Sequence, residues 1–160
     1  MLGPSHHVYL DFCALSECHY YRTPLGNLTL DTDLLKEIRQ SSEKFGWMSL
    51  QTDEDEHSIE MHLPYIYKVL HLAGKVDSVK VVPILVGAIS TSKEKAYGAV
   101  LAKYLRDPEN LFVISSDFCH WSVSPPFHPS HMPIPSIQGH PLLVHALLLR
   151  PPHPVRPQPR

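Results

Sequence analysis

The alternation of apolar and polar positions predicts strand–helix units. The run Val79-Lys80-Val81-Val82-Pro83-Ile84-Leu85-Val86 is β-branched and closes on Gly87. It reads as a strand that Pro83 pushes toward an edge or a bulge, because proline has no amide hydrogen for the ladder. Thr91-Ser92-Lys93-Glu94 then opens a helix as a capping box. Ala96, Tyr97, Val100, Leu101, Tyr104 and Leu105 follow at helical spacing, and Asp107-Pro108 stops the run. Leu111-Phe112-Val113-Ile114 reads as the next strand. Strand, helix, strand over so short a span predicts a βαβ unit in a parallel sheet.

Upstream, residues 33–39 predict a helix with Asp31 as its N-cap. Residues 21–30 predict an extended segment or hairpin turning at Gly26-Asn27. The acidic run Asp53-Glu54-Asp55-Glu56 precedes an apolar helical stretch over 57–72, where acids suit the positive end of the helix dipole. A kink is expected near Pro64. Leu2-Gly3-Pro4-Ser5-His6 reads as the end of a strand with little body before it.

Composition divides the chain after Trp121. Residues 1–121 hold all 16 acidic residues and 11 of the 14 Lys and Arg, so they carry 11 − 16 = −5. Residues 122–160 carry three Arg and no acid, and 11 of the 16 Pro. That density of proline is incompatible with regular helices or central strands. The expected organisation is therefore a folded part at 1–121 and a Pro/His-rich disordered tail at 122–160. Its PxxP spacings at 126–129, 151–154 and 154–157 match what an SH3-like groove binds, but any segment so rich in proline contains them by chance. Leu142–Leu149 is too short to span a membrane, which takes about 20 apolar residues. No secretory signal is visible at the N-terminus. Three cysteines make no paired framework, which fits a reducing compartment. The mildly acidic folded part gives no electrostatic reason to expect nucleic acid.

Two histidine clusters follow strand-like runs: Ser5-His6-His7, and Ser115-Ser116-Asp117-Phe118-Cys119-His120-Trp121. Ligands in open α/β sheets sit beyond the carboxyl ends of strands. Neutral imidazoles plus one carboxylate suit zinc, copper or iron. His6, His120 and Asp117 are thus the candidate metal ligands, with Asp117 alternatively orienting His120. On spacing alone, turn residues with satisfied hydrogen bonds remain the commoner reading. His57, Glu60 and His62 form H-x-x-E-x-H, but His62 falls off the face shared by His57 and Glu60, so a zinc-protease helix is not indicated. No nucleophile elbow surrounds Ser5. Cys13 and Cys18 lack a second pair and read as ordinary thiols.

The segments Leu2-Gly3-Pro4-Ser5-His6-His7, Tyr21-Arg22-Thr23-Pro24-Leu25, the block 48–65, and the stretch from Asn110 to Trp121 together resemble the Memo family (mediator of ErbB-driven cell motility). The block from Met48 to Tyr65 is the long and specific part. The resemblance implies an α/β fold, a three-layer αβα sandwich around a mainly parallel sheet, like the class III extradiol dioxygenases. Against that family the chain is expected to be truncated at both ends: an upstream histidine motif and a downstream pocket cysteine are missing. The resemblance also implies a cytoplasmic protein, also nuclear, that relays receptor tyrosine kinase signals to the microtubule cytoskeleton and cell migration. Its partners would be a phosphorylated receptor tail or its adaptor proteins. His6 matches a metal-ligand position, and Asp117 and His120 match pocket residues, implying iron or copper, weakly held. With an incomplete ligand set, a signalling role is expected over the alternative of a metal-dependent redox enzyme of the dioxygenase type.

Overall fold

The computed structural model describes residues 1–42 and 44–116. A four-stranded sheet is built from β1 (Leu2–Pro4), β2 (Cys13–Leu15), β5 (Phe45–Trp47) and β6 (Ile84–Val86), in the spatial order β1-β6-β2-β5. β6 runs parallel to β1 and β5 parallel to β2, while β2 and β6 are antiparallel. A separate hairpin joins β3 (Tyr20–Thr23) to β4 (Gly26–Thr29). Helices α1 (Thr32–Ser41), α2 (Leu50–Asp55), α3 (His57–Glu60), α4 (Leu63–Leu72) and α5 (Thr91–Arg106) flank these strands. The expected mixed α/β fold with a mainly parallel sheet is what the chain adopts. Among the described residues, no helix is long and apolar enough to cross a membrane. Residues 117–160, and with them the expected tail, lie outside the described residues.

Local chemistry sets most element boundaries. The Asp31 carboxylate accepts from the Leu34 amide at 3.2 Å and starts α1, which buries Leu35 and Ile38 one turn apart. The N-cap of α5 lies one residue before the expected box. Ser90 caps it by accepting from the Lys93 amide, and Glu94 falls in the first turn, where its charge suits the dipole. Asp107, just before Pro108, ends it as expected.

Four expectations change in detail. The hairpin turns at Pro24-Leu25 rather than Gly26-Asn27, because the Thr23 hydroxyl accepts from the Leu25 and Gly26 amides and donates to the Gly26 carbonyl. Gly26 has φ +147°, and a β-carbon there would strike the Tyr67 ring of α4. The run 79–86 yields only β6, with Val81 bridging separately to Leu30. Pro83 does not make an edge. It is buried just before β6, which lies between β1 and β2, so the missing amide falls outside the ladder. The apolar stretch 57–72 is two helices broken at Met61-His62, with Pro64 in the first turn of α4, where its missing donor costs nothing. The acidic run does not simply precede a helix: Leu50–Asp55 is itself one, capped by Ser49.

The expected strand at 111–114 reduces to one parallel bridge between Ile114 and Leu2. The Leu2 amide donates to the Val113 carbonyl, and the Leu2 carbonyl accepts from the Ser115 amide. Met1 and Gly3 face β6 instead, as alternate residues of a strand must, so the 113–115 segment lines the opposite edge of β1. β6, α5 and this segment thus form the expected crossover with β1 between its two strand positions.

The core gathers Leu15, Leu28, Leu35, Ile38, Phe45 and Leu85, all essentially inaccessible to water. Tyr97 ties α5 to this sheet. Its ring packs edge-on against Phe45 with centroids 4.8 Å apart, and its hydroxyl accepts from the Cys13 amide at 3.1 Å and donates to the Lys44 carbonyl. Tyr97 is 4% exposed, so removing the hydroxyl leaves a buried amide without a partner. Tyr97→Phe should cost about 1–3 kcal/mol of unfolding free energy. Urea denaturation checks this, with a midpoint shift and an unchanged slope expected.

Candidate functional site

β1 ends at Pro4, and the Ser5 amide still donates to Val86, so the chain leaves the sheet beside the carboxyl end of β6. His6 and His7 follow at once. α3 lies close over β1. A β-carbon on Gly3 would come within 2.6 Å of the Ser58 hydroxyl and 3.0 Å of Ile59. Glycine at position 3 therefore lets α3 approach and brings its N-cap, Glu56, to His6.

Glu56 is 2% exposed. One carboxylate oxygen accepts from the His6 amide at 2.7 Å. The other lies 3.0 Å from His6 Nδ1 and accepts from the Ser58 amide at 3.0 Å. Burial pushes the carboxyl upward, but the donors from His6 and Ser58 outweigh it and hold it down at about 2. The group is ionised throughout the neutral range. His57 completes the cluster, with Nδ1 3.6 Å from the same Glu56 oxygen and its ring 4.4 Å from that of His6. His7 meets His57 edge-on, Nε2 to Nδ1 at 3.4 Å. Donor atoms of His6, Glu56 and His57 all lie within 4.8 Å of one another. The chemistry of that set suits a borderline divalent metal.

Of the three ligands expected from sequence, His6 sits where strand-end logic places it. Asp117 and His120 lie outside the described residues. The described residues 113–115 run parallel to β1. Sequence reading missed Glu56 as a partner of His6 and treated it only as an acid near a helix start. The H-x-x-E-x-H pattern is dispersed further than its spacing predicted: His62 is buried apart as expected, but His57 joins the His6 cluster while Glu60 faces solvent. Burial pushes the His62 ring below its ordinary value, opposed by the nearby Ser58 backbone, and neither ring nitrogen makes a full hydrogen bond. Cys13 and Cys18 are free thiols. Burial pushes Cys13 up to about 12 and raises Cys18 as well, which disfavours the thiolate that metal binding needs.

The acidic run divides its work. Asp53 turns inward and accepts from the Ser16 and Tyr21 hydroxyls and the Cys18 thiol, fastening α2 to β3 and to the segment that precedes it. Asp55 accepts from the Gln51 amide on the surface. Glu56 alone reaches the site.

Residues 1–138 match the family described as Memo-like protein. The chain belongs to the Memo family. Protein MEMO1 of Xenopus laevis is 58% identical over 121 residues, which is 76% of this chain and 40% of that protein. Protein MEMO1 of Homo sapiens is 55% identical over the same length and shares. The protein memo-1 homolog of Caenorhabditis elegans is 46% identical over 137 residues, 84% of this chain and 38% of that protein. The chain thus spans about 40% of the length of the curated MEMO1 relatives it matches. The Memo family block at 48–65 is the segment that folds into α2, α3 and the start of α4 and delivers Glu56 to His6.

The pH dependence of Glu56 is a direct check on this geometry. Its folded value lies below the ordinary 4.5, so its contribution to stability is complete above about pH 4.5 and is lost as pH falls toward 2. At pH 7, Glu56→Gln should destabilise the chain by about 1.5–3 kcal/mol, the range for hydrogen bonds to a charged group. Guanidinium unfolding at pH 7 and at pH 3 should show the gap between variant and parent narrowing at the lower pH.

Proposed function

We propose that this Memo-family chain is a signalling protein that links receptor tyrosine kinases of the ErbB type to the microtubule cytoskeleton and cell migration. Its partner is a phosphorylated receptor tail or an adaptor bound to it, met in the cytoplasm and also in the nucleus. The observation that supports this reading is the 55% identity to Protein MEMO1 of Homo sapiens over 121 residues.

A metal is the second part of the proposal. His6, Asp117 and His120 are its ligands, and iron or copper is the ion, held weakly by so few groups. The described part of the site fits such an ion: His6 is held by a buried carboxylate at the carboxyl ends of parallel strands. An iron ion in such a setting supplies oxygen activation when two histidines and a carboxylate leave positions open. Ring cleavage needs a complete ligand set with open positions plus an acid/base group, and only His6, Asp117 and His120 are proposed as ligands in this chain. The pocket is therefore proposed as vestigial, with signalling as the function.

Two measurements on the full chain separate these readings. Surface plasmon resonance should show binding to a tyrosine-phosphorylated ErbB tail peptide, directly or with an adaptor present, and none to the unphosphorylated peptide. Oxygen consumption with a catechol and ferrous iron should not exceed the metal-only control. Turnover above that control, lost in His6→Ala, would establish the dioxygenase alternative instead.

A further inference from the structure

We infer that Glu56 is a positioning residue that fixes the His6 imidazole as the Nδ1–H tautomer, so that Nε2 is the nitrogen His6 presents as a ligand. The inference rests on the proposal that His6 binds a metal. It concerns a residue outside the ligand set of His6, Asp117 and His120.

Three observations carry it. Glu56 grips residue 6 twice: one oxygen takes the backbone amide at 2.7 Å and the other lies 3.0 Å from ring Nδ1. A ring held at both its backbone and its Nδ1 has little freedom about χ1 and χ2. The second oxygen also takes the Ser58 amide at 3.0 Å, so both oxygens are committed to donors. The carboxylate is 2% exposed, and burying a charge this way is tolerable only while those donors stay in place. An acceptor-only carboxylate facing Nδ1 requires a proton on that nitrogen. Carboxylate–histidine–metal arrays use this arrangement to orient the ring and raise its basicity.

The same cluster admits one competing arrangement. One ring nitrogen each of His6 and His57 and a Glu56 oxygen lie within 4.8 Å of one another, close enough to surround an ion directly. Direct ligation would require Glu56 to give up the His6 ring proton and share an oxygen already taken by Ser58. The hydrogen bonds therefore favour orientation over ligation.

The test uses the full 160-residue chain with ¹⁵N-labelled histidine. Long-range proton–nitrogen spectra at pH 7.5 should show His6 with its proton on Nδ1, an outcome that needs no variant. A proton on Nε2, or a mixture of tautomers in the parent chain, overturns the inference. In E56Q the His6 signal should become a mixture of tautomers. Titration with Co²⁺, a visible probe of ligand field, should weaken about 10–100-fold in E56Q, with the shape of the visible bands unchanged. Unaltered cobalt affinity in E56Q, or bands of different shape, would overturn it, the latter by showing Glu56 to be a ligand. His6→Ala should abolish cobalt binding. If the parent chain itself binds no cobalt, the metal proposal falls, while the tautomer spectra still decide whether Glu56 positions His6.

Discussion

A carboxylate with almost no access to water holds this end of the molecule together. Ionised groups are expelled from protein interiors unless donors replace their hydration, and Glu56 finds three donors in His6 and Ser58. Two come from the loop after β1 and one from α3, so the charge links a strand end to a helix start. The arrangement requires β1 and α3 to lie almost in contact. Gly3 permits that approach, and the break between α3 and α4 gives α3 its own direction.

The surrounding sheet explains why His6 sits where it does. β1, β6 and the 113–115 segment run parallel, with α5 returning the chain between the last two. Parallel strands deliver their carboxyl ends to one edge, which is where α/β proteins place ligands. Tyr97 anchors α5 against Phe45 and the Cys13 amide, which fixes the returning segment relative to β2 and β5. The site at His6 is thus a consequence of topology, while its fine geometry depends on one side chain from another part of the sequence.

Helices α1 and α5 were legible in the sequence because each carries a strong local signal, Asp31 with the apolar pair Leu35 and Ile38 and the periodic run to Leu105, and the hairpin was legible as a hairpin though its turn was placed at Gly26-Asn27, two residues late. β2 and β5 were not, since three residues are too few to display a period. Pro83 misled in one respect, because its position relative to the ladder is a tertiary fact. His6 was legible as a residue at a strand end. Its partnership with Glu56 was not, because the two are fifty residues apart in sequence and Glu56 lies in a run of four acids with nothing local to single it out. Family membership fills part of that gap: the Memo block around 48–65 is the segment whose fold brings Glu56 to the site.

Hydrogen exchange at the His6 amide is the most direct test of that contact. His6 belongs to a solvent-exposed stretch outside any strand, where amides ordinarily exchange near the rate of an unfolded chain. Capture by Glu56 predicts exchange slowed by at least about a hundredfold relative to the unfolded chain, with the protection lost in Glu56→Gln. Exchange of the parent chain's His6 amide at the unfolded rate would contradict the account.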